Sequence, residues 1–503
     1  MPSTRVVLDP AFPVGELDRR IFGSFVEHMG RCVYTGIYEP GHPTADEHGF
    51  REDVAALTRE SGATLMRYPG GNFVSGYRWE DGVGPVEERP ARVDLAWRSV
   101  ESNEVGLNEF VGWAQRLGVE PMLAVNLGTR GVQEACDLLE YANYPSGTAL
   151  SDLRASHGHP KPHGIRLWCL GNEMDGPWQT GHKTAQEYGR LALETAKAMR
   201  QVDPDIELVA CGSSNSAMPT FGHWEATVLE HCYEAVDYIS LHAYYEERGG
   251  DLASFLAASV DMDRFIRSVI ATADHIGATR HSRKKINLSF DEWNVWYQKD
   301  FAGHTNLAME QTPRLIEDTF SVADAVAVGG FLNALIRHAD RVKIACQAQL
   351  VNVIGLIRSE PSGPAWRQTI FHPFAQTARL ARGTVLRAEP RGATHETAAH
   401  GEVDTVDVSS TWDQETGSVA VFLVNRHPTD SVDVTVELRG FPEVALHECL
   451  RLADDDPRAT NTLEEPERVR PQADDSPLVE AGCVQLRLPP ISWTALDLRT
   501  TPS

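Results

Sequence analysis

"IRLWCLGNE", residues 165–173, decides the fold. Ile165, Leu167, Trp168, Cys169 and Leu170 form an apolar run, short and without alternation, as in a parallel strand covered on both faces. The run stops at Gly171 and Asn172 and delivers a carboxylate, Glu173, at its end. Seven further runs have the same texture: "RIFGSFVEH", "GATLMRYPGGN", "PMLAVNLG", "IELVACGSS", "VDYISLHAYY", "KINLSFDEWN" and "VKIACQAQLVNV". Between them, segments such as "TAQEYGRLALETAKAMRQV" and "DMDRFIRSVIATADHI" carry apolar residues every three or four positions, the spacing of an amphipathic helix. Strand and helix alternating in this way predict an α/β fold, a (β/α)8 TIM barrel over residues 18–383.

Past about Gly383 the pattern changes. "DTVDVSSTW", "SVAVFLVNR", "SVDVTVELRG" and "CVQLRLPPISWTALDL" alternate at period two with no helices between them. Residues 384–503 therefore read as an antiparallel, jelly-roll-like β-sandwich. Residues 451–477 interrupt it with eight acids, four bases and four prolines, which predicts a long solvated loop. The lone early strand in "TRVVLDPAF" would leave exposed edges by itself, so residues 1–17 are expected to join the sandwich.

The formal charge of -25 argues against nucleic acid or an anionic lipid surface as partner and favours a neutral substrate. The N-terminus has no basic patch leading into an apolar core, and no apolar run approaches the length of a membrane span, so a cytoplasmic protein is expected. Eight scattered cysteines, none in a CxxC pair, read as reduced core thiols.

In a barrel the C-terminal strand ends share one face, so an acid there points into a common bowl. Glu173 ends the fourth strand and Glu292, in "INLSFDEWNVWY", ends the seventh. Either alone reads as well as an ion-pair partner. Together they suit glycoside cleavage, in which one carboxyl group donates a proton to the leaving oxygen while the other attacks the anomeric carbon. Asn172 beside the first could bind a sugar hydroxyl, and Trp293, Asn294 and Trp296 beside the second offer ring faces and an amide. His242 and Tyr244, two apart on one strand, share a face.

"CLGNEMDGPWQTGHK" and "SFDEWNVWY" resemble the acid/base and nucleophile signatures of glycoside hydrolase family 51, the α-L-arabinofuranosidases. The resemblance runs through "FGSFVEHMGRCVYTGIYEPGHP", "RYPGGNFVSGYRWEDGVGP", "LAVNLGTRG", "ELVACGSSN", "YISLHAYY" and "HADRVKIACQAQLVNVI", essentially the whole chain. It implies a retaining, exo-acting enzyme on arabinan, arabinoxylan or derived oligosaccharides, hexameric and without a cofactor or metal. Glu173 would be the acid/base and Glu292 the nucleophile. By the same matching, Glu27 and Asn72 would bind furanose hydroxyls and Asn172 would sit near the 2-hydroxyl. His242 and Tyr244 would position the nucleophile, Trp296 would pack the pocket wall, and Gln349 would close the sugar site.

Without the resemblance, Glu27 reads equally as a partner of an arginine such as Arg67, and His242 and Gln349 as hydrogen-bonded core residues. The segment 298–318 departs from the family pattern, which carries a Pro-Trp pair ahead of the helix to strand eight, and leaves substrate preference open. His157, His159 and His163 could gather a metal, but their glycine- and proline-rich setting reads as a loop. No GxSxG, Walker or GxGxxG pattern is present. A β-1,4-endoglucanase of the same clan, a metal-dependent barrel hydrolase and a non-catalytic carbohydrate-binding barrel remain as alternatives.

Overall fold

The structure, a computed structural model, describes residues 2–298, 301, 309–441 and 443–500. Eight parallel strands close a barrel in chain order: Gly23–Phe25, Leu65–Tyr68, Glu120–Ala124, Leu167–Leu170, Glu207–Ala210, Tyr238–Tyr245, Asn287–Val295 and Val342–Gln347. Cys346 opposite Gly23 joins the eighth strand to the first. These are the eight apolar runs of the sequence. Every residue of Leu167–Leu170 is buried, with barrel core on one face and the helix Ala185–Val202 on the other side of the layer. That helix starts where Thr184 accepts from the Glu187 amide and Glu187 answers to the Thr184 amide, and it buries Tyr188, Ala192, Ala196 and Met199 along one stripe.

The helix Val322–Arg337, between strands seven and eight, has only Asp324, Asn333 and Arg337 as polar residues, and residues 322–336 are all buried. Its outer side packs on the C-terminal domain. Gly329 lies so close to the Trp493 indole that a Cβ would come within 2.3 Å of it. Asn333 accepts from the Ser409 hydroxyl at 2.6 Å, and Arg337 pairs with Asp407. A helix covered by a barrel on one side and a sandwich on the other needs no polar stripe.

The C-terminal region forms a seven-stranded and a five-stranded sheet around their own aliphatic core, which includes Val6, Leu8, Val421 and Val434. Ser3–Leu8 lies in the smaller sheet, parallel to Val432–Leu438, and Pro13–Glu16 pairs with Thr384–Leu386 in the larger. Residues 451–477 form the irregular, largely solvent-facing segment expected from their charge, but it is anchored at several points. The carbonyls of Ala459 and Pro457 accept from the amides of Val322 and Ala323, Gln472–Ala473 pairs with the strand Val444–Leu452, and Asn461 and Val469 are buried. The first amides of a helix lack intrahelical acceptors, and this segment supplies two. All eight cysteines are free, six of them buried. Among the described residues no helix is long and apolar enough to cross a membrane.

Candidate active site

Strands one, two, four, six, seven and eight each send a polar side chain into one bowl at their C-terminal ends. Glu173, His242 and Glu292 are buried and each brings a nitrogen or oxygen atom within 4.8 Å of the other two. His242 Nδ1 lies 2.9 Å from Glu173 Oε1 and 3.5 Å from Glu292 Oε2, while Nε2 lies 3.0 Å from Asp291 Oδ1. Burial alone would lower the imidazole, but Glu292, Asp291 and Glu173 outweigh it and raise its pKa to about 10. With both ring nitrogens facing carboxylates, His242 is an imidazolium that donates twice.

Glu292 is gripped from three directions. Tyr244 donates to its Oε2 at 2.8 Å, Arg67 donates from Nη1 to its Oε1 at 2.8 Å, and His242 stands beside it. Burial pushes the Glu292 carboxyl up, with Glu173 adding to the rise and His242 and Arg67 opposing it. Arg67 also donates to Asn172 Oδ1 at 2.6 Å, and Asn172 donates to Asn72 Oδ1 at 3.2 Å. Asp291 is buried too, yet Arg67 and His242 hold it below the usual carboxylate range. Glu173 accepts at Oε2 from Trp178 Nε1, 2.7 Å away.

The sugar-binding candidates line the side formed by strands one, two and eight. Glu27 accepts from the Phe73 amide at 3.0 Å, from Trp97 Nε1 at 2.7 Å and from Gln349 Nε2 at 2.9 Å. Burial raises its pKa to about 8 against the first two of these donors. Its partner is not Arg67, which the two catalytic-strand carboxylates and Asn172 occupy. The glycines before Asn72 have a steric purpose: a Cβ on Gly71 would sit 2.2 Å from Glu27 Oε2. Trp296 meets Tyr244 edge-on, with ring centroids 5.2 Å apart, and lines the same cavity of about 690 Å³.

The nine residues given roles by the family resemblance therefore lie in or against this cavity, whereas the expected sugar contacts Trp293 and Asn294 turn away from it: Trp293 packs on Phe331, and Asn294 donates to the carbonyls of Ala348 and Ile354. Arg67, Asp291, Trp97 and Trp178 are partners that the strand-end reading missed. Asp291 adjoins Glu292, and strict alternation would send one of them outward. Three residues of strand seven instead span two of strand six between the pairs Ser240–Ser289 and His242–Glu292, and this bulge turns both acids inward. Arg67 had a signal: a lone cation in the buried strand "LMRY" needs anionic partners. The histidine cluster is not gathered at a site. His157 bonds to the Tyr141 hydroxyl and His163 to Asn108. The divergent segment falls partly on residues 299, 300 and 302–308, outside the described residues.

A closed parallel barrel that presents two neighbouring glutamates from strands four and seven, beside a pocket of amides, carboxylates and indoles, is the fold and site of a glycoside hydrolase. Models of the α-L-arabinofuranosidase 1 domain and the α-L-arabinofuranosidase C-terminal domain match residues 58–261 and 291–492. A family 51 α-L-arabinofuranosidase from Bifidobacterium longum superposes with a TM-score of 0.95 at 47% identity, covering 99% of each chain. This chain belongs to the α-L-arabinofuranosidases of glycoside hydrolase family 51. It is 59% identical to an intracellular exo-α-(1→5)-L-arabinofuranosidase of Streptomyces lividans, over 99% of this chain and 75% of the relative. It is 52% identical to an exo-α-(1→6)-L-arabinofuranosidase of Bifidobacterium longum, over 99% and 98%. The family assignment sets the endoglucanase alternative aside.

Proposed function

We propose that the protein removes terminal α-L-arabinofuranosyl residues from the non-reducing ends of neutral oligosaccharides by double displacement, with net retention. The observation that carries this reading is the closeness of the two acids. One carboxylate oxygen of Glu173 lies within 4.8 Å of one of Glu292, which supports direct attack, whereas inversion needs carboxyl groups roughly 6.5–9.5 Å apart to admit a water.

Glu292, held by Arg67 and Tyr244, attacks the anomeric carbon, and Glu173 gives its proton to the leaving oxygen. Water then enters, Glu173 takes its proton, and the ester at Glu292 breaks. The surrounding charges favour this exchange. Before attack, with Glu173 protonated, the anions Glu292 and Asp291 face the cations Arg67 and His242. After attack Glu292 is an ester and Glu173 is ionised, so two anions again face two cations. The buried cluster is neutral at both stages, and a single negative charge passes from one glutamate to the other. Glu27, Asn72, Asn172 and Gln349 bind the furanose hydroxyls, while His242 and Tyr244 orient the carboxylates and Trp296 supports Tyr244. No step requires a metal.

The (1→5) linkage named for the Streptomyces relative is the proposed natural bond, in oligosaccharides from arabinan or arabinoxylan, and the cytoplasm the proposed location. A hexamer is proposed from family resemblance; light scattering that returns a single-chain mass rejects it. The mechanism is tested by azide. Glu173→Ala should form an arabinosyl azide of retained configuration on an aryl arabinofuranoside, and Glu292→Ala one of inverted configuration. The opposite pairing exchanges the two roles, and proton NMR of the wild type releasing the inverted anomer first rejects retention.

A further inference from the structure

The cavity does not end at the two glutamates. Strands four and seven divide the barrel ring, leaving strands one, two and eight with the sugar-binding candidates on one side and strands five and six on the other. On that second side the cavity continues past Ser216 and Tyr245 to Asp261, in the helix Ser259–Thr279, and to His400. His400 comes from the C-terminal region, at the tip of a separate two-stranded hairpin formed by Thr394–Thr397 and Gly401–Asp404. The whole space, about 690 Å³, suits a ligand well beyond one pentose.

This arm is built and held. The Ala399 amide donates to the Ser254 hydroxyl at 3.0 Å, which fixes the hairpin tip on the barrel. His400 Nε2 lies 3.2 Å from the Ser254 carbonyl oxygen, which can only accept, so Nε2 carries the hydrogen and Nδ1 is left as an acceptor. Burial lowers the pKa of this imidazole and keeps it neutral. Asp261 accepts at Oδ2 from the Tyr245 hydroxyl at 3.1 Å and the Ser216 hydroxyl at 3.4 Å; among the described residues no donor reaches its Oδ1. Between these acceptors, buried Phe255 and Ala258 offer an apolar floor. Acceptors above an apolar floor fit the hydroxyls and C–H face of a sugar ring. Glu246, Asp251 and Asp261 outnumber Arg248 along the arm, which disfavours phosphate or uronate.

We infer that this arm receives the sugar units beyond the scissile bond of a neutral oligosaccharide, with Asp261 and the hairpin-borne His400 as its polar contacts. The inference rests on the reading that Glu173 and Glu292 cleave at the junction of the two sides.

The test compares 4-nitrophenyl α-L-arabinofuranoside with α-(1→5)-linked arabinobiose, arabinotriose and arabinotetraose as substrates of the wild type, Asp261→Asn, His400→Ala and His400→Gln. Wild-type kcat/KM should rise with chain length. Asp261→Asn, which exchanges a charged acceptor for a weaker neutral amide, and His400→Ala, which removes an acceptor, should each lose about ten-fold on the tetraose relative to their own rate on the aryl substrate, mainly through KM. His400→Gln keeps an acceptor and should recover part of that loss. A tetraose-to-aryl ratio within about two-fold of wild type in both Asp261→Asn and His400→Ala overturns the inference, whatever their thermal midpoints. If His400→Ala does not fold, Asp261→Asn decides alone. Failure of the folded wild type on the aryl arabinoside would instead sink the underlying reading of the function.

Discussion

Replacing Arg67 by methionine removes a cation from beneath Glu292 and keeps an unbranched side chain in the strand. Arg67 is buried, donates to Glu292 at 2.8 Å and to Asn172 at 2.6 Å, and stands 4.0 Å from Asp291. Burial already lifts the Glu292 carboxyl, and Arg67 is one of the groups that restrain it. A hydrogen bond to a charged group contributes about 1.5–3 kcal/mol and a pKa unit corresponds to about 1.36 kcal/mol, so Glu292 should rise by about one to two further units. In the proposed double displacement Glu292 must be ionised to attack, so the acid limb of kcat/KM on an aryl arabinofuranoside should move to higher pH by the same amount. Arg67→Lys retains the charge and should move the limb by less than about half a unit, while lowering kcat because one ammonium cannot bridge both Glu292 and Asn172. Stability gives a second reading of the same shift. A carboxyl group whose pKa is higher folded than unfolded keeps its proton longer in the folded state, so stability is lost as pH rises from the unfolded toward the folded value. Arg67→Met extends that window upward, and its deficit in thermal unfolding should be larger at about pH 8 than at about pH 5. An acid limb that stays in place in a folded Arg67→Met enzyme would refute the assignment of Arg67 as the cation that keeps Glu292 ionised.

Asp291→Asn is the converse perturbation: it removes an anion from the same cluster, so both limbs of the pH profile should move to lower pH, and a shift to higher pH would contradict the charge balance. Trp178→Phe removes the indole donor to Glu173 from a half-exposed side chain, so unfolding should change by less than about 0.5 kcal/mol. Hydrolysis of an oligosaccharide should drop about ten-fold more than that of an aryl arabinoside whose phenolate leaves without protonation; equal losses would deny Trp178 a part in proton donation. Glu27, raised to about 8 by burial, costs stability progressively as pH climbs from 4.5 to that value, since only the folded state retains the proton. Glu27→Gln cannot titrate, so its stability should fall less steeply with pH across that window, and kcat/KM should drop at least about ten-fold; an unchanged slope refutes the raised pKa.

The barrel was readable because each of its strands is buried on both faces, which makes it an unbroken apolar run of a length that no surface strand needs. What surrounds a helix is not written in the same way. Val322–Arg337 is apolar but for Asp324, Asn333 and Arg337, and the sequence does not say that its outer side is covered by Trp493, Ser409 and Asp407, which arrive from far along the chain. The surface loop 451–477 shows a related limit, in its anchoring. Its acids do face solvent in part, as in the exposed pair of Asp454 with Arg468, but the segment's backbone carbonyls are what the start of that helix requires, and composition reports side chains alone.

The site divides along the same line. Glu173 and Glu292 were legible because a carboxylate at the mouth of an apolar strand is expensive and must be answered by function or by a partner. Their answer comes from both. Arg67 and His242 lie on other strands, and only barrel closure brings them to the pair, while Asp291, next to Glu292 in sequence, joins the group through these two cations. Asp291 was hidden further by the bulge against strand six, since a period-two reading places adjacent residues on opposite faces and so discards one of two neighbouring acids. Yet the acid so discarded is one that both cations of the cluster face. Arg67 and His242 hold Asp291 below the usual carboxylate range, so Asp291 neutralises part of the positive charge that faces Glu292.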